Sequence, residues 1–204
     1  MSPYNAWFFA AGLAAVAELD NAAACQFMIC RPIVLGPLLG AALGQIVLGA
    51  GLGVVCELFC LEELPVGGCL PLNATMAAAT AVLLAAGPIP AAPEAALPAG
   101  LLAGWTHAKL ESFLRRRRGG LNAVVETRLK AGQEPRLGSL ALGELATQAA
   151  ANLTLLLVFM CGAKLLSSGW RASPNALRAG LHFGLGVSPV LGLWSLIRSF
   201  KVVS

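Results

Sequence analysis

Charge is scarce in this sequence: 12% of its 204 residues are Asp, Glu, Lys or Arg, about half the share of an ordinary soluble domain. Histidine is limited to His107 and His182, and tyrosine to Tyr4. The sequence has no Ser–His–Asp arrangement, Gly-rich phosphate loop or paired histidines. Neither histidine is therefore nominated as a general base or phosphorylation site, and both are expected at the membrane interface. The six cysteines (Cys25, Cys30, Cys56, Cys60, Cys69 and Cys161) lie among apolar residues without zinc-motif spacing to a histidine. They read as small buried hydrophobes, with no metal, disulfide or cofactor assigned. The chain starts without the basic segment of a secretory signal, so its first apolar run is expected to remain in the mature protein.

What is abundant is apolar surface. Hydrophobic residues make up 57% of the chain, glycine occurs 23 times, and the mean hydropathy is +0.76. Disorder is excluded, because it requires low hydrophobicity and high net charge. The composition reads as one polytopic membrane domain over residues 1–204, all-α, with room for five or six hydrophobic segments. Charge is divided unevenly. Residues 1–108 carry one base, Arg31, against six acids, whereas residues 109–204 carry thirteen bases against four acids. Because these bases flank apolar runs, they are read as topology signals and not as a nucleic-acid surface. The basic amphipathic arm at about 109–138, with its four-arginine run Arg115 to Arg118, is expected in the cytoplasm together with the C-terminus. Contact with anionic membrane lipid is its alternative use.

Several segments are short or broken. Residues 7–19 are marginal as a span, closed by Glu18-Leu19-Asp20-Asn21. Residues 33–61 are long enough for more than one crossing element, with Gly36, Gly40 and Gly44 on one helical face, where they would let a second helix approach closely. Residues 62–73 hold two prolines and a glycine pair. Such a break is tolerated at membrane depth where protein or a watery cavity supplies hydrogen-bond partners, which is the setting of a transport site; a plain surface loop is the alternative. A stop at 87–93 precedes a further apolar helix from about residue 95. Residues 140–163 form the clearest late span, with Glu144, Gln148 and Asn152 along one side that should face protein. A loop is expected at 167–175 and a last apolar segment at 181–197. Glu57 stands out as a carboxylate within apolar surroundings, costly on insertion and hence a functional candidate; Arg31 and Asp20 read as charges at membrane borders.

Over residues 31–87 these features, Arg31-Pro32 opening a glycine-rich helix, Glu57-Leu58, Pro65-Val66-Gly67-Gly68 and Leu72-Asn73, resemble the IIC membrane subunit of the mannose–fructose–sorbose family of the bacterial sugar phosphotransferase system. The resemblance implies an inner-membrane, multi-pass permease with broken helices and re-entrant hairpins. It implies binding of a hexose or amino sugar, a IID membrane partner, soluble IIA and IIB phosphocarriers, assembly as a trimer of IIC–IID pairs, and no phosphohistidine on IIC itself. Glu57 and Asn73 become the first expected sugar contacts, with Gln26, Gln45 and Thr75 as hydrogen-bonding support. Arg31, Pro65, Gly67 and Gly68 would shape the hairpin. Two positions depart from the family pattern: Gln45 and Asn73 stand where members usually carry Asp. An amide still hydrogen-bonds hydroxyls, without a carboxylate's strength. Two other readings stay open, a transporter of a different small solute and an assembly or regulatory subunit that binds no sugar.

Overall fold

A computed structural model describes residues 2–22, 27–60, 71–132 and 137–202, and every regular element among them is helical. The helices are α1 (Pro3–Ala17), α2 (Leu19–Ala22), α3 (Pro32–Ala42), α4 (Ile46–Cys60), α5 (Ala74–Ala86), α6 (Pro93–Lys130), α7 (Leu137–Cys161), α8 (Ala163–Ala172) and α9 (Asn175–Val202). Their starts follow simple backbone rules. Proline opens α1, α3 and α6, where its missing N–H is not needed and its fixed φ already suits the helix. Asn73 caps α5, its Oδ1 accepting from the Met76 N–H at 2.8 Å.

α5 is the central post. Every residue from Thr75 to Ala86 is buried, and its alanine-rich surface lets α1, α3, α4, α6 and α7 all pack on it. Gly100 and Gly104 of α6 approach Ala77, Ala81 and the Asn73 carbonyl so closely that a methyl group would collide. At the other end of α5, two last-turn carbonyls find donors outside the helix: the Trp7 indole N–H reaches the Leu83 oxygen at 2.8 Å, and the Ala91 N–H reaches that of Leu84 at 2.9 Å. Those groups would otherwise be buried without partners.

α3 and α4 form a tight antiparallel hairpin. Gly36 and Gly40 face Gly49 and Gly53 backbone to backbone, as the glycine spacing of α3 leads one to expect. Gly44 plays a different part from the one expected of it. It lies in the turn and not on the helix face, at φ 75°, a conformation that disfavours a Cβ. Gly49→Ala should cost about 1–3 kcal/mol, because its methyl would meet the Gly36 carbonyl and the Gly40 Cα. Gly51→Ala, where nothing lies within 4 Å, should be neutral or slightly stabilising. Thermal unfolding of the two variants tests this, and equal midpoints would refute it.

Helix lengths separate the elements into two groups. α3, α4 and α5 have 11, 15 and 13 residues, about 16–23 Å at 1.5 Å per residue, short of the ~30 Å hydrocarbon layer. Two runs are long and apolar enough to cross it, Leu137–Ala172 and Asn175–Trp194, with 22% and 6% of their most apolar windows buried in the protein. Their outer surface carries exposed Val158, Leu165, Phe183 and Trp194. The chain is thus an all-α membrane protein with broken helices. The loop expected at 167–175 is largely helix: the Ser167 and Ser168 hydroxyls bond back to the Lys164 and Leu165 carbonyls at 3.0 Å each, and the break waits for Ser173-Pro174. The basic arm continues α6 without interruption to Lys130, with the adjacent Gly119 and Gly120 taken into the helix.

Candidate functional site

Glu18, which the sequence left as an end marker of the first apolar run, is 4% exposed and lies where α1, α5, α6 and α7 converge. Its Oε1 accepts from Asn73 Nδ2 at 2.5 Å and from Asn21 Nδ2 at 3.1 Å. Thr75, the second residue of α5 and 4% exposed, sits beside the same carboxylate. Asn73 therefore does two things at once: its oxygen caps α5 and its amide nitrogen holds Glu18. Among the described residues, Glu18 is the one acceptor for that amide nitrogen, and its second N–H is left for another.

From this point a chain of polar side chains runs through the bundle. His107 of α6, 1% exposed, donates from Nε2 to Asn152 Oδ1 at 3.0 Å. Asn152 of α7, fully buried, donates to the Ala15 carbonyl at 3.2 Å. Gln148 donates to Asn152 Oδ1 at 3.3 Å and to Glu111 Oε2 at 2.8 Å, and it accepts from the Arg118 guanidinium. Glu111 pairs with Arg115 at 2.9 Å and Arg118 at 3.5 Å, and Arg118 also reaches Glu144 at 3.5 Å. The stripe Glu144, Gln148 and Asn152 faces protein, as its i, i+4 spacing suggests.

The interfacial placement expected of the histidines is corrected for His107, which is enclosed by helices. Both histidines do have polar partners far away in sequence: His182 Nδ1 lies 2.7 Å from Glu94 Oε1, 88 residues off. No sequence-local pattern announces either pairing.

Glu57 and Arg31 meet at the open end of the α3–α4 hairpin, 2.8 Å apart, and Glu57 Oε2 also accepts from the Ile33 N–H at 3.4 Å. The carboxylate thus sits at the N-terminus of α3, where free N–H groups and the helix dipole favour an anion. Gln45 is exposed at the opposite tip, twelve residues along α4, or about 18 Å. The structure joins Asn73 and Thr75 with Glu18 and joins Arg31 with Glu57, while Gln45 stands apart from both groups. Gln26, Pro65, Gly67 and Gly68 lie outside the described residues, as do Cys25 and Cys69. Asp20 folds the turn before α3, accepting from the Phe27 and Ile29 N–H groups at 2.7 and 2.9 Å. Desolvation works to raise its pKa, and these backbone donors outweigh it, so its carboxyl sits below the usual value.

Among the described residues no group of three or more His, Cys, Asp or Glu could hold a metal ion. Amides, a hydroxyl and carboxylates held by helix ends suit recognition of hydroxyl groups more than bond-breaking chemistry. Compared with known families, residues 7–201 match the model of the sorbose-specific IIC component of the phosphotransferase system. Among curated proteins none matches the chain significantly.

Proposed function

The chain belongs to the family of the phosphotransferase system's sorbose-specific IIC component and is a sugar permease subunit of such a system, and from that premise we propose that it binds a hexose or amino sugar within the membrane. It holds the sugar at the cytoplasmic face while IIB transfers a phosphoryl group, beside a IID membrane subunit and with IIA charging IIB. The protein lies in the bacterial inner membrane as a multi-pass single domain over residues 1–204, its basic arm at about 109–138 in the cytoplasm, and it assembles as a trimer of IIC–IID pairs. The short α3–α4 hairpin is re-entrant, entering and leaving on one side.

The observation that carries the sugar site is Asn73. It opens the most buried helix of the protein directly after the proline- and glycine-rich break, with a spare amide N–H and the Thr75 hydroxyl beside it. Non-helical backbone leading into a helix N-terminus at membrane depth is the arrangement that transporters use to replace a solute's water. Asn73 and Thr75 make the first sugar contacts. Glu57, already clamped by Arg31, serves as a further acceptor with Gln26 as hydrogen-bonding support, whereas Gln45, at the opposite tip of the hairpin, takes no part in this site. Pro65, Gly67 and Gly68 shape the break.

The test is sugar-dependent thermal stabilisation of the purified IIC–IID complex across neutral hexoses and amino sugars. A selective shift is expected, lost in Asn73→Ala and weakened severalfold in Thr75→Val, which keeps the side-chain volume and removes one hydroxyl. An undiminished shift in both folded variants would reject the site.

A further inference from the structure

The glutamates of this protein are matched to bases with one exception. Among the described residues Glu57 lies against Arg31, Glu94 against His182, Glu111 against Arg115 and Arg118, Glu126 against Lys130 and Glu144 against Arg118. Glu18 is the most buried of these glutamates, at 4% exposed, and no ion pair among the described residues reaches it.

Its hydrogen-bonding neighbours are neutral. Oε1 accepts from the Asn73 and Asn21 amides, and the Thr75 hydroxyl is a third, weaker donor to the carboxylate. Oε2 is buried without a well-formed hydrogen bond of its own. His107 spends Nε2 on Asn152. Histidine apart, Arg31 is the one base before residue 109, and Glu57 holds it. A carboxylate kept from water is costly unless a cation and further hydrogen bonds compensate it, and neutral donors recover only part of that cost.

The surroundings show what cation would fit. Asn21 of α2 is exposed and Asn73 is half-buried, so the carboxylate lies directly behind two amides that a ligand can approach. An ammonium has three hydrogens to donate and no lone pair, and acceptors stand ready for them in Oε2 and in the side-chain oxygens of Thr75 and Asn21. The second N–H of Asn73 suits a hydroxyl oxygen. This set of groups is complementary to an ammonium with a hydroxyl on the adjoining carbon, as in a 2-amino-2-deoxyhexose. A hydroxyl in place of the ammonium would satisfy Oε2 and leave the charge uncompensated.

We propose that Glu18 is the specificity-determining residue of the sugar site, and that it selects hexoses bearing a free ammonium over neutral ones by placing Oε2 against that ammonium. The assignment rests on the Asn73 reading above and narrows it from hexose or amino sugar to amino sugar. A charge-assisted hydrogen bond is about twice as strong as a neutral one, so the carboxylate discriminates by charge and not by shape. Acetylation of the amine keeps the nitrogen, removes the charge and removes the advantage.

The experiment is calorimetric titration of the IIC–IID complex in lipid nanodiscs at mildly acidic pH, where free amino sugars carry their proton. Glucosamine, galactosamine and mannosamine are each measured beside the parent hexose and the N-acetyl derivative. At least one free amine should bind about tenfold or more tighter than both of its neutral counterparts. Glu18→Gln keeps an oxygen for Asn73 and removes the charge, and it should bring the three affinities of that series within about threefold of one another. Asn21→Lys leaves Glu18 in place and offers it a competing ammonium from an exposed position. It should cut amino-sugar affinity severalfold, and it tests the pairing even where Glu18→Gln does not fold.

Neutral sugars binding as tightly as the free amines would overturn the role of Glu18, and so would an amine preference that persists undiminished in folded Glu18→Gln or in Asn21→Lys. Under any of these results the Asn73 reading stands if Asn73→Ala abolishes the binding that is seen. Sugar binding that survives Asn73→Ala unchanged, or an intact complex that binds none of the sugars, would overturn the Asn73 reading and the assignment of Glu18 with it.

Discussion

Asn73→Asp should destabilise the protein by about 3–4 kcal/mol at neutral pH, the scale of two like charges in contact at an effective dielectric near 20. The replacement changes almost nothing else. Asp is as good a helix cap as Asn, so the bond to the Met76 N–H survives and the side-chain volume is kept. What changes is the 2.5 Å contact with Glu18, where an amide donor becomes a second carboxylate. In this pair Glu18 supplies the carboxylate and residue 73 the amide. The exchange predicts its own repair. Glu18→Gln added to Asn73→Asp restores one acid facing one amide and should return most of the lost stability, so the double variant is far from the sum of the singles. Thermal midpoints of the four proteins decide it, and additivity would show that the two side chains do not depend on each other.

Asn152→Leu should cost roughly 2–4 kcal/mol although leucine has the same number and branching of side-chain heavy atoms as asparagine and suits an apolar interior better. The reason is what it strands. Asn152 satisfies the Ala15 carbonyl, His107 Nε2 and one Gln148 N–H, and each buried group left without a partner costs about 1–3 kcal/mol. Gln148 keeps Glu111 as an acceptor, which limits the loss. Leu157, which lies on the same helix and only packs against the core, should tolerate replacement by Met with a change under about 1.5 kcal/mol. A thermal midpoint for Asn152→Leu no lower than that of Leu157→Met would mean the polar chain contributes nothing to holding α1, α6 and α7 together.

How much of this could be read from the chain varies by element. The stop at 87–93 and the proline-led start of α3 follow from local backbone chemistry, which travels with the residues themselves, whereas Gly44 was expected on a helix face and lies in the turn, and α6 begins at Pro93 and not near residue 95. The protein-facing side of α7 follows from the spacing of Glu144, Gln148 and Asn152, because a helix turns by a fixed angle per residue. The loop expected at 167–175 was misplaced because serines bond back to their own helix and do not stop it; Pro174 does. Glu57 could be singled out as a carboxylate in apolar company, and its partner Arg31 as a border charge, yet nothing in the spacing of 26 residues says that they meet.

By itself, then, the sequence determined an all-α membrane protein with short, glycine-broken helices, a basic second half and a family resemblance carried by residues 31–87. These are properties of composition, period and local conformation. The tertiary structure alone decided that Glu18 is buried, that it faces Asn73 55 residues away, and that His107 lies inside the bundle and not at its border. Periodicity identifies which face of a helix is polar and is silent about which face of another helix will meet it. The partner, and with it the chemistry of a buried acid, comes into being when the helices pack.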